Sequence, residues 1–212
     1  MTIFRTDKNP HFFAPFGPTM GYFKMPDNLV NFLNKSMDKK LDDFSDHLVG
    51  KVTQELHFDK DIRKYTANNL LKFIIDYHQY TKNRNSMGKF NLDSSKKAHL
   101  DIVSAWFVRQ FENEYNPMHI HNNCTLSCVG YLKLPDGIDE EWEEDYKDHY
   151  PANGHINFIY GSDGPYTCSN FLVKPEVGDF YIFPSYLFHG VYPFYTKGER
   201  RSFSMNMIFD MA

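Results

Sequence analysis

Two histidines, His119 and His121, stand two apart in the run NPMHIHNNCTLSCVGYLKL (residues 116–134). An extended chain points residues i and i+2 to one side, so both imidazoles can meet one metal ion. A third histidine, His189, follows in KPEVGDFYIFPSYLFHGVYPF (174–194). Gly178-Asp179 reads there as a turn into a buried strand that Pro184 ends, leaving His189 at a strand end or at the start of the next strand. Imidazole suits iron, zinc, nickel and copper, so the three histidines point to metal chemistry without choosing the metal. Eleven residues later, GERRSFSMNMIF (198–209) sets Arg200, Ser202, Ser204 and Asn206 on one face of a strand, and Arg201, Phe203, Met205 and Met207 on the other. A guanidinium fork beside a metal can grip a carboxylate, with a neighbouring hydroxyl adding a hydrogen bond. Arg201, on the opposite face, reads as an edge charge.

Each piece alone has an ordinary explanation. A His-x-His pair is commonly polar packing, and an alternating Ser/Arg strand is commonly the wet face of an antiparallel sheet. The order and spacing of all three together make the chemical reading the stronger one. If the extended run continues past His121 without a bulge, Asn123, Thr125, Ser127, Val129 and Tyr131 share the histidines' face; a bulge breaks that parity.

The elements that must hold these residues fall into two textures. Four prolines (Pro10, Pro15, Pro18, Pro26) and many aromatics over residues 1–26 suit an extended arm. Asp27 reads as an N-cap. Leu29, Leu33, Met37 and Leu41, then Ile62, Leu70, Phe73, Ile74 and Tyr77, recur with helical spacing and predict helices over 28–44 and 60–82. From about residue 100 the chain turns to short runs of Val, Ile, Phe and Tyr broken by Gly, Pro, Asn and Asp, which predicts antiparallel strands. Helices first and strands after give an α+β, mainly β, fold in which N-terminal helices buttress a sandwich or barrel. The expected organisation is one domain over 1–212: an arm at 1–26, supporting helices at 27–90 and the β core at 100–212. Between two strand candidates, residues 135–153 carry eight acidic residues and one lysine. This stretch reads as a long loop, either simply solvated or a lid over the site.

Composition narrows the partners. With 23 Lys+Arg against 27 Asp+Glu the chain has a formal charge of -4, no electrostatic footprint for a nucleic-acid backbone, so a nucleic-acid partner is not expected. No stretch reaches the ~20 apolar residues of a membrane span, and charges and prolines break the first residues where a signal peptide is apolar, so a cytoplasmic protein is expected. Cys124, Cys128 and Cys168 form no CxxC pair and read as buried free thiols.

Over about residues 102–209 the segments NPMHIHNN, KPEVGDFYIFPSYLFHGV and GERRSFSMN resemble the 2-oxoglutarate/iron(II) oxygenase superfamily, in particular a bacterial and phage group of it. The resemblance implies a double-stranded β-helix, or jelly roll, with iron(II) at one end of the barrel. It implies that His189 is the distal metal ligand, and that Arg200 with Ser202 binds the far carboxylate of 2-oxoglutarate. Ser127 and Tyr131 are placed by position as further contacts to that cosubstrate. Most of the superfamily carries His-x-Asp or His-x-Glu as the proximal pair, whereas this chain has His119-Ile-His121. Two ligand sets therefore stay open: a three-histidine site of His119, His121 and His189, or one proximal histidine completed by water, Asn123 or a carboxylate from elsewhere. The implied reaction consumes 2-oxoglutarate and O2, releases succinate and CO2, and hydroxylates an amino-acid residue, free or in a protein, or a small molecule. Two rivals are a cupin-type metal enzyme that does not use 2-oxoglutarate and a non-catalytic jelly-roll binding module. Against the cupin stand the absence of a glutamate shortly after His121 and the presence of Arg200-x-Ser202.

Overall fold

In the computed structural model, residues 10–13, 17–43, 45, 50–87, 97–143 and 152–211 are described. Strands β1 (His11–Phe13) and β2 (Met20–Lys24) lead into helix α1 (Asp27–Met37); β3 (Gln54–His57) precedes helix α2 (Lys60–Asn85). There follow β4 (Ala98–Gln110), β5 (Asn116–His119), β6 (Leu126–Lys133), β7 (Ile156–Ile159), β8 (Asn170–Val173), β9 (Asp179–Pro184), β10 (Phe188–Val191) and β11 (Arg200–Met211). Seven strands form one sheet in the order β1-β2-β9-β6-β11-β4-β3, and four form the other in the order β5-β10-β7-β8. Every ladder is antiparallel. Two facing antiparallel sheets with helices on the outside of the larger one are the expected jelly roll buttressed by N-terminal helices.

Period-two alternation builds both layers. On the outer face of the large sheet, Ala105, Phe107, Cys128, Phe180, Ile182, Phe203, Met205 and Met207 pack against Leu29, Leu33, Met37, Ile62, Leu70, Phe73, Ile74 and Tyr77 of the two helices. On its inner face, Val129, Tyr131, Tyr181 and Phe183 meet Ile156, Phe158, Phe171 and Val173 of the small sheet. Each such side chain contributes ~1.5–3 kcal/mol on burial, more than the helix-propensity differences along α2, so packing fixes that helix.

Several sequence expectations are corrected. The 1–26 arm is partly sheet: β2 pairs with β9 from Gly21↔Ile182 to Lys24↔Asp179. Residues 1–9 and 14–16 lie outside the described residues. Helix α1 ends at Met37, not 44. Its exit is fixed by Asp38, whose carboxylate meets Arg201 Nη2 at 2.8 Å and Arg109 Nη2 at 3.3 Å. Arg201 is therefore no edge charge; it ties β11 to the end of α1. The N-cap of α1 is Pro26, with Asp27 the first helical residue, where its charge still complements the helix dipole. Helix α2 runs to Asn85 and is capped by Asp59, whose Oδ1 accepts from Ile62 N at 2.7 Å. Of the three thiols only Cys128 is buried, and Cys168 is exposed. No described helix is long and apolar enough to cross a membrane.

The acidic stretch is described at 135–143 and 152–153. It holds a 3₁₀ turn, Ile138–Trp142, in which buried Glu141 accepts from Tyr195 N at 2.9 Å and clamps the Tyr195-Thr196 backbone. The rest of the expected lid, 144–151, lies outside the described residues.

Candidate metal and cosubstrate site

Strand β5 stops at His119, and the chain crosses from the small sheet to the large one before β6 begins at Leu126. The unbroken strand from His119 to Tyr131 is thus not formed. Asn123 adopts φ 60° at the crossing, a left-handed conformation that asparagine tolerates better than most residues. His121 sits in this crossing, its N–H donating to Ser185 O at 3.0 Å. The second residue of β10, His189, is the direct cross-strand partner of His119.

All three imidazoles converge. Ring centroids lie 4.4 Å apart for His119–His189, and 5.0 Å apart for both His119–His121 and His121–His189. One ring nitrogen from each falls within 4.8 Å of the other two, and His121 Nε2 stands 3.2 Å from His189 Nε2. His119 Nδ1 donates to Pro117 O at 2.7 Å and His189 Nδ1 to Leu187 O at 2.8 Å. A proton fixed on Nδ1 leaves Nε2 as the lone-pair donor toward the shared centre. Burial is the first cause that lowers all three imidazole pKa values, taking His121 to about 4 and His189 well below its ordinary value, and neighbouring histidines add to the effect at these two. They are neutral, as a metal ligand must be. No carboxylate joins this group among the described residues.

Asn206 of β11 contacts His121 Nδ1 at 3.3 Å and is itself bonded by Ser127 Oγ at 2.5 Å. It is the amide Nδ2 that faces His121 Nδ1, while Oδ1 accepts from Ser127, so Asn206 donates to Nδ1 and orients the ring; only an exchange of the amide O and N would put the His121 proton on Nδ1 and free Nε2 as in the other two. Ser127, expected beside the cosubstrate, is thus engaged with Asn206.

A cavity of about 180 Å³ joins the histidines to the inner face of β4 and β11, with Trp106, Gln110, Arg200, Ser202 and Ser204 in its wall. The register sets Arg200 beside Gln110, Ser202 beside Val108 and Ser204 beside Trp106. Arg200 is 1% exposed. Its Nη1 donates to Gln110 Oε1 at 3.0 Å, and its guanidinium lies 5.2 Å from the Tyr131 ring centroid. Arg200 Nε is buried with no acceptor from the chain beyond the adjacent Tyr131 hydroxyl, itself buried, and among the described residues no carboxylate neutralises the arginine. Burial lowers the Arg200 pKa, opposed by Tyr131, and pushes Tyr131 up to about 12. A buried cation with unspent donors in a cavity wall is suited to an anionic ligand.

Residues 104–206 match the model of the family described as "Putative 2OG-Fe(II) oxygenase". Over that stretch, just under half of the chain, the sequence is similar to the 2-oxoglutarate/iron(II) oxygenase superfamily. Iron(II) and 2-oxoglutarate are the cofactor and cosubstrate of that superfamily, and oxygenation is its reaction class. No curated protein matches the sequence. Among solved structures, the prolyl-4-hydroxylase of Pseudomonas putida is similar with a TM-score of 0.51 at 15% identity, over 89% of this chain and 91% of that one. A 2OG-Fe(II) oxygenase family oxidoreductase from Burkholderia pseudomallei gives 0.52 at 12% identity, over 89% and 84%. HygX from Streptomyces hygroscopicus, solved with nickel and 2-oxoglutarate, gives 0.55 at 11% identity, over 89% and 82%. At these identities the likeness concerns the fold.

Sequence reasoning missed Gln110, Glu55 and Trp106 as cavity residues. Strand parity in IVSAWFVRQF (102–111) was the available signal for two of them, since it sets Trp106, Val108 and Gln110 on one face. The short run QELH gave none beyond its own alternation.

Proposed function

We propose that His119, His121 and His189 hold iron(II) as a three-histidine site and that Arg200 anchors the distal carboxylate of 2-oxoglutarate, making the chain a hydroxylase. The observation that carries this reading is one cavity with three neutral, convergent imidazoles and a buried arginine whose charge is unmatched. When bound, the metal and cosubstrate supply oxidative decarboxylation coupled to hydroxylation of a second substrate, with succinate and CO2 as products.

The protein's own part is binding, orientation and exclusion of water. Pro117 O and Leu187 O fix the tautomers of His119 and His189, and Asn206, itself held by Ser127, orients the ring of His121. Gln110 holds one arm of the Arg200 guanidinium, leaving Nε for a carboxylate. Ser202 on the cavity wall and the Tyr131 hydroxyl add donors beside it. Phe158 and Phe183, whose ring centroids lie 6.0 and 4.8 Å from that of His189, keep that side of the site dry. The second substrate is an amino-acid residue or a small molecule. A cytoplasmic setting agrees with three free cysteines.

The test is anaerobic addition of iron(II) and then 2-oxoglutarate to the apoprotein, followed by its visible charge-transfer band. The band forms in wild type, is lost in His189→Ala and is weakened in Arg200→Ala. Iron binding without a band in wild type overturns the 2-oxoglutarate reading.

A further inference from the structure

The cavity wall carries one acid that the proposed chemistry does not use. Glu55 lies in β3 opposite Val108 of β4, so it looks inward together with Trp106 and Gln110, while its neighbour Leu56 packs outward into the helical core. It is 3% exposed, and its Oε1 is buried without a hydrogen-bond partner. Its own N–H is committed to Ser45 Oγ at 3.0 Å.

The surroundings cannot satisfy it. Gln110 is spent at both ends, accepting from Arg200 and donating to Glu114 O. The Glu114 carboxylate takes the Thr53 hydroxyl and Phe111 N–H, and Asp43 takes Ser45. Asp43 and Glu114 place charges of its own sign on Glu55, and a cation and an imidazole of the cavity, Arg200 and His121, line the same wall without pairing with it. Burial first, and then these two carboxylates, push the Glu55 carboxyl up to about 8. Trp106, from the adjacent strand, contributes an indole to the same wall. An orphaned acid in a negative field beside an aromatic ring has the chemistry of an organic-cation site.

We infer that Glu55 and Trp106 form the specificity subsite of the cavity and that the primary substrate carries an ammonium or guanidinium group that pairs with Glu55. This rests on the oxygenase reading for what becomes of the substrate, but not for its binding. Cation entry draws Glu55 to its carboxylate and releases the proton to solvent, so binding tightens as pH rises through 8.

The experiment is calorimetric titration of the full chain at pH 8.5, with and without iron(II) and 2-oxoglutarate under nitrogen. The probes are the N-acetyl amides of lysine, arginine, norleucine and proline. The lysine or arginine probe binds wild type, and the neutral probes bind at least about tenfold more weakly. Glu55→Gln loses that preference, whereas Glu55→Asp, which withdraws the charge by one methylene, retains part of it. Neutral probes binding as well as cationic ones, no probe binding at all, or Glu55→Gln leaving the preference intact would each overturn the inference. Failure of the charge-transfer band would refute the oxygenase reading alone, since the metal-free titration still decides the cation site.

Discussion

His119 and His189 are direct partners across the β5–β10 ladder, and each holds its Nδ1 proton on the carbonyl two residues before it, Pro117 O and Leu187 O. The same local device therefore presets two imidazoles from opposite strands, and the register brings their centroids to 4.4 Å. His121 stands outside the strands and is held instead by a side chain, Asn206, whose Nδ2 lies 3.3 Å from its Nδ1. The site is thus two parts backbone-determined and one part side-chain-determined, and its three ligands should not respond alike to change.

His189→Ala removes the most buried of the three proposed ligands. Iron(II) affinity should fall by more than about 100-fold, read as iron retained after anaerobic gel filtration, because a two-histidine remnant lacks a third protein donor. An unchanged iron content would remove the metal site from this cavity.

Asn206→Ala tests the positioning role. The imidazole of His121 remains but its ring orientation is no longer held, so iron(II) affinity should fall by about 10–100-fold. Ser127→Ala, one bond further out, should lose less. Equal losses in Ser127→Ala and His121→Ala would contradict the relay through Asn206.

Much of this arrangement was legible in the sequence, and the failures have physical causes. The alternation of Arg200, Ser202, Ser204 and Asn206 with Phe203, Met205 and Met207 gave the faces of β11, because a strand between helices and a cavity must be apolar on one side only. The pairing of His119 with His121 was also readable, but its reason differs from strand parity: the chain leaves the small sheet between them and the crossing brings the rings together. Such a crossing leaves no periodic trace. The end of α1 was misplaced because Leu41 continues the helical spacing, while the deciding force, Asp38 held by Arg201 and Arg109, comes from residues far along the chain. Glu55 was invisible for the same reason, since its meaning depends on which strand lies beside it.

Arg200→Met separates binding from folding. The native arginine is buried with an unmatched charge, so an uncharged, flexible apolar side chain should stabilise the ligand-free fold by ~1 kcal/mol. Wild type should gain thermal stability when 2-oxoglutarate is added with a catalytically inert divalent metal, as mass action requires; the variant should gain none. A 2-oxoglutarate-dependent shift of equal size in both proteins, measured by differential scanning fluorimetry, would exclude Arg200 as the anchor.

Gly130→Ala probes the layer that carries the site. A Cβ at Gly130 would meet the Phe203 ring at 2.2 Å, and Phe203 is fully buried between the large sheet and the helices. The β6–β11 ladder must then shift or Phe203 must leave its rotamer, a cost of about 1–3 kcal/mol. Chemical denaturation should show the midpoint falling at constant slope. The ladder also pairs Ser127 with Asn206, so iron affinity should weaken as well.

Glu55 should give the fold a pH dependence of unusual sign for a carboxylate. Its folded pKa, about 8, lies above the ordinary value of 4.5, chiefly from burial and then from Asp43 and Glu114. Between those limits the native state holds a proton that the unfolded chain has released, so raising the pH favours unfolding. This penalty is absent below about 4.5 and complete above about 8. After discount for solvent screening it is on the order of 2 kcal/mol. The buried histidines act oppositely at lower pH, but they are common to wild type and Glu55→Gln, so the difference between the two proteins isolates Glu55. Urea unfolding of both metal-free proteins from pH 5 to 9 should show Glu55→Gln gaining on wild type as pH rises and levelling off above pH 8. A difference that stays flat across this range would mean that Glu55 titrates as an ordinary surface acid, and the cation site would lose its electrostatic basis.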